Sequence, residues 1–129
     1  MLTATPAKTT LATGTNTWTN QPAALTEFLG LTVHRVKIDL TDVDKIRLDA
    51  RVNTAGVSGS VLFLQYSTDE SAWSTLTINQ ISMTATGTKA TAWEDIPAGA
   101  RGDVFVRIAG QSGNGTADPV IGNVILEAR

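Results

Sequence analysis

Apolar and polar residues alternate along much of this chain, and the alternation predicts β-strands. The clearest case is residues 45–53, whose two faces are Ile46, Leu48, Ala50 and Val52 against Lys45, Arg47, Asp49 and Arg51. Residues 31–40 alternate in the same way and place His34 in one row with Val36 and Ile38. Successive side chains of a strand point to opposite faces, so both segments are predicted to be half-buried antiparallel strands with His34 facing inward.

Residues 60–76 predict a hairpin at the centre of the fold. An apolar run from Val61 to Tyr66 is followed by a polar turn at residues 67–71, and the chain returns through Trp73 to Leu76. The spacing Tyr66-Ser67-x-Asp69-x-x-x-Trp73 resembles a hairpin of galactose-binding-like and carbohydrate-module jelly rolls. That resemblance implies that Trp73 folds back over its own hairpin.

Three predicted strands carry apolar residues on both faces, namely residues 61–66, 103–109 and 120–128. A monomeric sandwich normally has polar residues on its outer faces, so the extra apolar residues are predicted to contact a partner. Trp18 joins them because it lies in a polar segment, where we expect its ring to be free. The interface candidates are Trp18, Phe63, Phe105, Ile121 and Ile125. The alternative is that loops or the N-terminal segment cover these residues inside one chain.

The N-terminal residues 1–20 include eight threonines and few large apolar residues, which predicts an extended arm or an edge strand. Asn20 as a cap, Pro22 and Gly30 predict one or two helical turns over residues 22–29. Leu25, Phe28 and Leu29 would then close one end of the core. Residues 21–129 are predicted to form one all-β domain, an antiparallel β-sandwich of about eight strands with jelly-roll topology.

The composition of the chain limits the kinds of partner that it is expected to bind. The 129 residues carry a net charge of -2 and no run of Lys or Arg, so nucleic-acid binding is not predicted. The chain has no cysteine and therefore neither disulfides nor thiolate metal sites. No apolar run has the length of a membrane span, and the first residues do not match a secretion signal, so neither a membrane partner nor export is expected.

The sequence has few residues that could form a catalytic or metal-binding site. The single histidine, His34, occurs without a cysteine or a nucleophile motif, so we expect no catalytic residues, no enzyme activity and no cofactor. The acidic pairs at residues 69–70 and 94–95 are interpreted as solvated turn residues. Asp39, Asp42 and Asp44 cluster around one turn, where calcium is an alternative, although their spacing differs from an EF-hand.

Residues 103–110 and 113–126 look like the closing strands of small jelly-roll proteins in the virions of tailed bacteriophages. The resemblance implies a structural capsid decoration (cement) protein on the virion surface. Such a protein is made in the host cytoplasm and stabilises the bacteriophage head by contacts with the major capsid protein or another virion protein. It also implies a homo-oligomer, with a trimer favoured. The alternative function is a carbohydrate-binding module or a tail or fibre adhesin subunit that contacts a glycan through Trp18 or the loop at residues 110–119.

Overall fold

The computed structural model describes residues 7–30 and 32–129 of the chain, which form two antiparallel sheets packed face to face. This is the predicted all-β sandwich. The strands of the first sheet are β1 (Ala7–Ala12), β2 (Asn16–Thr17), β5 (Lys45–Thr54), β9 (Gly87–Ala90), β10 (Glu94–Asp95) and β12 (Val120–Ala128). Those of the second sheet are β3 (Thr26–Glu27), β4 (Val36–Asp39), β6 (Val61–Ser67), β7 (Ser74–Thr75), β8 (Ile81–Ser82) and β11 (Asp103–Gln111).

The strand order brings distant parts of the chain together. In the first sheet the order is β1-β12-β5-β10, with β2 also pairing with β12 and β9 with β5. In the second sheet it is β3-β11-β6-β7, with β4 also pairing with β11 and β8 with β6. The first strand therefore lies beside the last, and the long strands β5, β6, β11 and β12 form the centre of the sandwich.

The core lies between the inner faces of the two sheets. In β5 the four apolar residues of the alternating pattern are all buried, as predicted. Across the core they face buried residues of β6 and β11, namely Leu62, Leu64, Val104, Val106 and Ile108. Each fully buried side chain of this size contributes about 1.5–3 kcal/mol relative to an exposed one.

A β-bulge in β12 changes which of its residues face the core. Ile121 lies opposite Val52 and Val124 lies opposite Ala50, so three steps along β12 match two along β5. The extra residue reverses the alternation, and Ile121 and Val124 are both fully buried. The expectation that Ile121 faces outward was wrong for this reason. Ile125, beyond the bulge, does face outward and is half-buried.

The helical turns predicted over residues 22–29 are absent. Thr26 and Glu27 form β3, which pairs with Gly110 and Ala109 of β11. Pairing with a central strand satisfies backbone groups that a helix of one or two turns would leave open at both ends. In the described part of the chain the one helical segment is a 3-10 turn at Ala98–Ala100.

Only one of the three residues expected to close the core from that segment does so. Phe28 is 2% exposed, and its N–H donates a hydrogen bond to the carbonyl of Ile108 at 2.9 Å. Leu25 and Leu29 are 47% and 75% exposed.

His34 does not belong to the inward row. The strand predicted over residues 31–40 is limited to β4, and His34 precedes it with an exposed side chain. The His34 N–H donates to the carbonyl of Leu11 at 2.9 Å, so the chain follows the end of β1 before it enters the second sheet. Alternation in sequence continues across this change of partner, but the strand does not.

The predicted N-terminal arm is only partly within the described residues. Residues 1–6 lie outside them. Ala7–Ala12 forms the edge strand β1, which pairs along β12 from Ala128 to Val124.

Candidate functional site on the two outer faces

The structure separates the five predicted interface residues into two groups. Trp18 and Phe63 are each 5% exposed, and Ile121 is 0% exposed, so none of the three offers a surface to a partner. For these three, the chain itself provides the cover. Phe105 and Ile125 are half-buried and lie on the outer faces of β11 and β12.

Trp18 is a core residue, contrary to the expectation that its ring is free. It stacks on Phe28 with ring centroids 4.4 Å apart and an angle of 25° between the planes. Its backbone N–H donates to the carbonyl of Pro119 at 2.8 Å. The polar residues around Trp18 in sequence are short, so they let the chain lay this one large ring over the end of the sandwich.

The outer face of the second sheet carries a half-buried tryptophan between two arginines. The guanidinium carbon of Arg107 lies 4.1 Å from the ring centroid of Trp73, and that of Arg35 lies 4.9 Å away. A guanidinium at this distance is attracted by the electron-rich face of the indole ring. We call this set, with Glu27 and Gln65, the Trp73 face.

The half-buried Glu27 and the buried Gln65 hold the two arginines of the Trp73 face. Arg35 donates to both carboxylate oxygens of Glu27, at 2.9 and 2.7 Å, and Arg107 reaches the same carboxylate at 3.4 Å. Arg107 Nε also donates to Gln65 Oε1 at 2.8 Å. The Glu27 hydrogen bond raises the pKa of Arg35, whereas burial lowers the pKa of Arg107. Both side chains stay cationic and are fixed in place.

Phe105 extends the apolar part of this surface. It lies two residues before Arg107 on β11 and so shares its outer side of the sheet. The Lys37 ammonium lies 5.7 Å from the centroid of the Phe105 ring. The predicted interface residue Phe105 is thus adjacent to the Trp73 face.

The outer face of the first sheet repeats this arrangement with different residues. The guanidinium carbons of Arg47 and Arg129 lie 4.7 and 4.3 Å from the ring centroid of Trp93. The Glu127 side chain is 4% exposed, accepts a hydrogen bond from Arg47 Nε and lies 3.7 Å from Lys8 Nζ. We call this set the Trp93 face.

Comparison with protein-family models, with curated proteins and with solved structures found no match to this chain.

Sequence reasoning missed both arginine–tryptophan pairs. The resemblance implied that Trp73 folds back over its own hairpin, and Trp93 was not among the interface candidates, but both rings are half-buried on outer faces. A signal was present in the alternation, because Arg47 and Arg107 fall in outward rows of β5 and β11. Which tryptophan they meet depends on contacts between distant segments, and local pattern does not contain that information.

Asp69 organises the turn that precedes Trp73. Its carboxylate accepts hydrogen bonds from the backbone N–H groups of Ser71 and Ala72, at 2.8 and 3.1 Å, and from the Ser67 hydroxyl at 2.9 Å. These bonds lower the pKa of Asp69, with the bond from Ser71 contributing most. The predicted solvated turn at residues 69–70 is thus built on a carboxylate that must be ionised.

This arrangement predicts a loss of stability in acid. The folded-state pKa of Asp69 lies below its unfolded value of about 4, so its contribution is present above about pH 4 and disappears as the pH falls through the folded pKa. The pKa values of Asp39 and Asp95 are lowered in the same direction by Thr41 and Lys45. Urea unfolding measured between about pH 5 and about pH 2 should show a steady decline. In Asp69→Asn the decline should be smaller, and an identical decline in the variant would contradict this role.

The other chemical candidates do not converge. Within residues 7–30 and 32–129, no three histidine or acidic side chains are grouped as metal ligands. Asp39, from the proposed calcium cluster, accepts instead from the N–H of Thr41 at 2.9 Å. The part of the chain that the structure describes also has no helix with the length and hydrophobicity to cross a lipid bilayer.

Proposed function

We propose that this chain is a structural virion protein of the capsid decoration (cement) type, which stabilises a bacteriophage head through protein–protein contacts. The observation that carries the proposal is the presence of a fixed arginine–tryptophan group on each of the two opposite outer faces. Tryptophan and arginine are the residues in which binding energy at protein interfaces is concentrated. A subunit with one such group on each outer face can contact two neighbouring proteins at once.

We further infer that the sandwich is a jelly roll. Short strands that follow each other and pair with the same neighbour can be grouped as one strand, namely β1 with β2, β3 with β4, β7 with β8, and β9 with β10. Grouped in this way, the chain has eight strands, whose first and last members are adjacent and which divide four to each sheet. This order supports the jelly-roll topology found in viral capsid proteins and in lectins.

Long side chains on both faces are already held in one conformation before a partner binds, which supports an interface role. Long side chains lose rotamer entropy when a partner immobilises them, at about 0.5–1.5 kcal/mol each. In the Trp73 face, Glu27 and Gln65 already hold the arginines, so most of that cost is met during folding. Binding to a neighbour then retains more of the contact energy.

The proposed mechanism is mass action on the assembled shell. A subunit that binds the assembled lattice, and not the free capsid protein, shifts the equilibrium toward the particle. The major capsid protein or another virion protein would be the partner, and the chain would sit on the capsid surface after synthesis in the host cytoplasm. One face would meet the shell and the other a second copy of the chain, consistent with a homo-oligomer such as a trimer.

Truncation of each tryptophan tests the proposal. Truncation of the tryptophan on the face that meets the shell, by Trp73→Ala or by Trp93→Ala, should weaken association with shells of the capsid protein encoded in the same genome by at least about 30-fold. Truncation of the other tryptophan should weaken association between copies of the chain. Co-sedimentation over a concentration series measures this. Because both rings are half-buried, the variants should fold, which circular dichroism checks.

Val57→Ala is the matched control for these variants. Val57 is 36% exposed and lies between β5 and β6, outside both faces, so its truncation removes apolar surface elsewhere. Its association with shells should match that of the wild type. Full association of both tryptophan variants, or an equal loss in Val57→Ala, would contradict the proposal.

The alternative function, a carbohydrate-binding module or a tail or fibre adhesin subunit, loses one of its two predicted contacts. Trp18 is stacked in the core and cannot serve as a sugar platform. The loop at residues 110–119 stays a predicted glycan contact, and one region of the first sheet also favours glycan binding.

A further inference from the structure

An open cleft of about 480 Å³ lies on the outer face of the first sheet. It is on the same face as Trp93 but further along β5, from Asp49 to Asn53. Its volume falls within the range of about 300–1,000 Å³ that small-molecule sites occupy. The cleft is lined by Gly14, Asp49, Arg51, Asn53, Thr88, Gly122, Asn123 and Ile125.

The β-bulge of β12 shapes the floor of the cleft. Gly122 lies in the bulge, where a β-carbon would be 3.2 Å from Arg51 Cβ and 3.3 Å from Asn53 Nδ2. Both distances are tighter than ordinary van der Waals contact. Glycine at this position therefore lets the strand approach Arg51 closely and keeps a methyl group out of the floor.

Two hydrogen bonds hold the guanidinium group of Arg51 at the cleft. Its Nε donates to Asn53 Oδ1 at 3.2 Å, and its Nη1 donates to Thr88 Oγ1 at 3.2 Å. A guanidinium has five N–H donors, so others stay available to a ligand. Cross-strand pairing of Arg51 with Thr88 keeps the two residues side by side.

Asp49 supplies acceptors beside this donor. It is half-buried, lies two residues before Arg51 on the same outer face of β5, and is paired with Ile125 and Ala90 across the strands. Among the residues that the structure describes, its carboxylate has neither an ion-pair nor a hydrogen-bond partner. Arg51 turns toward Asn53 and Thr88 and leaves this carboxylate open to the cleft.

These groups select a ligand by their chemistry. The Asp49 carboxylate repels an anionic ligand, and the Arg51 guanidinium repels a cationic one. A purely apolar ligand would leave both groups desolvated and without hydrogen-bond partners. A ligand with neighbouring hydroxyl groups can donate to the Asp49 carboxylate and accept from Arg51 and Asn123. Ile125 offers an aliphatic contact for carbon-bound hydrogens.

We propose that this cleft binds the ring of a neutral sugar, with Asp49 and Arg51 as its principal hydrogen-bonding residues. The site is open, and ligand-efficiency limits place the dissociation constant of one hexose on the order of 1 mM. This activity is independent of the shell contacts proposed above, since it belongs to the free chain and requires no partner protein.

Amide chemical shifts of the isotope-labelled chain provide the test. Glucose, galactose, mannose and N-acetylglucosamine are titrated separately into tens of millimolar, with free amino acids and inorganic phosphate as non-sugar ligands. At least one sugar should move the amides of residues 49–53 and 122–125 in a saturable way. Asp49→Asn, which keeps the shape but removes the charge, should weaken this binding by roughly tenfold or more.

Asp103→Asn is the matched control, because it makes the same change at an exposed position of the second sheet. It should bind the sugar as the wild type does. Gly122→Ala should also weaken binding, by placing a methyl group beside Arg51. Four results would overturn the proposal: no saturable shifts with any sugar, stronger binding of an amino acid or phosphate, unchanged binding in Asp49→Asn, or equal weakening in Asp103→Asn. None of these bears on association with shells, which is measured without sugar.

Discussion

Replacement of Trp18 by alanine is expected to lower the free energy of unfolding by about 3–5 kcal/mol. The ring is 5% exposed and stacked on Phe28, so truncation removes buried area and leaves a cavity in the end of the core. The partner ring is buried as well, and the backbone around it is fixed by hydrogen bonds to Pro119 and Ile108. The site therefore has little freedom to collapse. Urea unfolding followed by circular dichroism measures the loss.

A large exposed side chain gives the control for this variant. Leu29 is 75% exposed, and Leu29→Ala should change stability by less than about 0.5 kcal/mol. If Trp18→Ala is unfolded without urea, Trp18→Phe, which retains a ring against Phe28, should fold with intermediate stability. A loss below about 1 kcal/mol for Trp18→Ala would show that the ring is not in the core.

Replacement of Gly110 by alanine is expected to cost about 3 kcal/mol, at the upper end of the range for over-packing. A β-carbon there would lie 2.2 Å from the backbone oxygen of Val61 and 3.0 Å from Cη2 of Trp18. Gly110 is paired with Thr26 on one side and Leu62 on the other, so β11 cannot move away from the Val61 carbonyl without breaking its ladders. The midpoint of urea unfolding should fall accordingly.

Gly30→Ala adds the same methyl group at a position where the structure has space for it. The nearest atom to its added β-carbon would be Val33 Cγ2 at 3.6 Å, an ordinary contact. Its stability should differ from that of the wild type by less than about 0.5 kcal/mol. Equal midpoints for the two glycine variants would contradict the placement of Gly110 between Val61 and Trp18.

The success of sequence reasoning at β5 and its failure at β12 have one explanation. In β5 the alternation of apolar and charged residues runs without interruption, and all four apolar residues are buried as predicted. In β12 the bulge between Ile121 and Val124 shifts the alternation by one residue. A bulge depends on how two strands pair, and a single-strand pattern cannot show where the extra residue is accommodated.

The segment before β4 was misinterpreted because local signals were weaker than pairing between distant segments. The cap, proline and glycine around residues 20–30 suit a short helix, but such a helix is marginal without tertiary support. Pairing of Thr26 and Glu27 with β11 provides that support for a strand. The candidate site was missed for the same reason, since Trp73 meets Arg35 and Arg107 from two other segments of the chain.

The outer face of the first sheet has two proposed roles, one in contacts between proteins and one in sugar binding. The first sheet carries the Trp93 face toward one end of β5, and the cleft with Asp49 and Arg51 lies further along the same strand. When the Trp73 face meets the shell, the Trp93 face would meet a second copy of the chain, and the cleft further along the first sheet would lie away from the shell, where a sugar could reach it. Docking through the Trp93 face would instead place the shell over the cleft, so sugar binding by intact particles reports which face meets the shell.

The central claim is that both outer faces become covered when the chain joins an assembly. Hydroxyl-radical oxidation, read by mass spectrometry, measures the accessibility of each tryptophan in the free chain and in the assembled particle. Trp18, 5% exposed within the single chain, is the internal reference that should not change. The account predicts that oxidation of Trp73 and Trp93 falls sharply on assembly. Equal oxidation of these two residues in free chain and particle would contradict it.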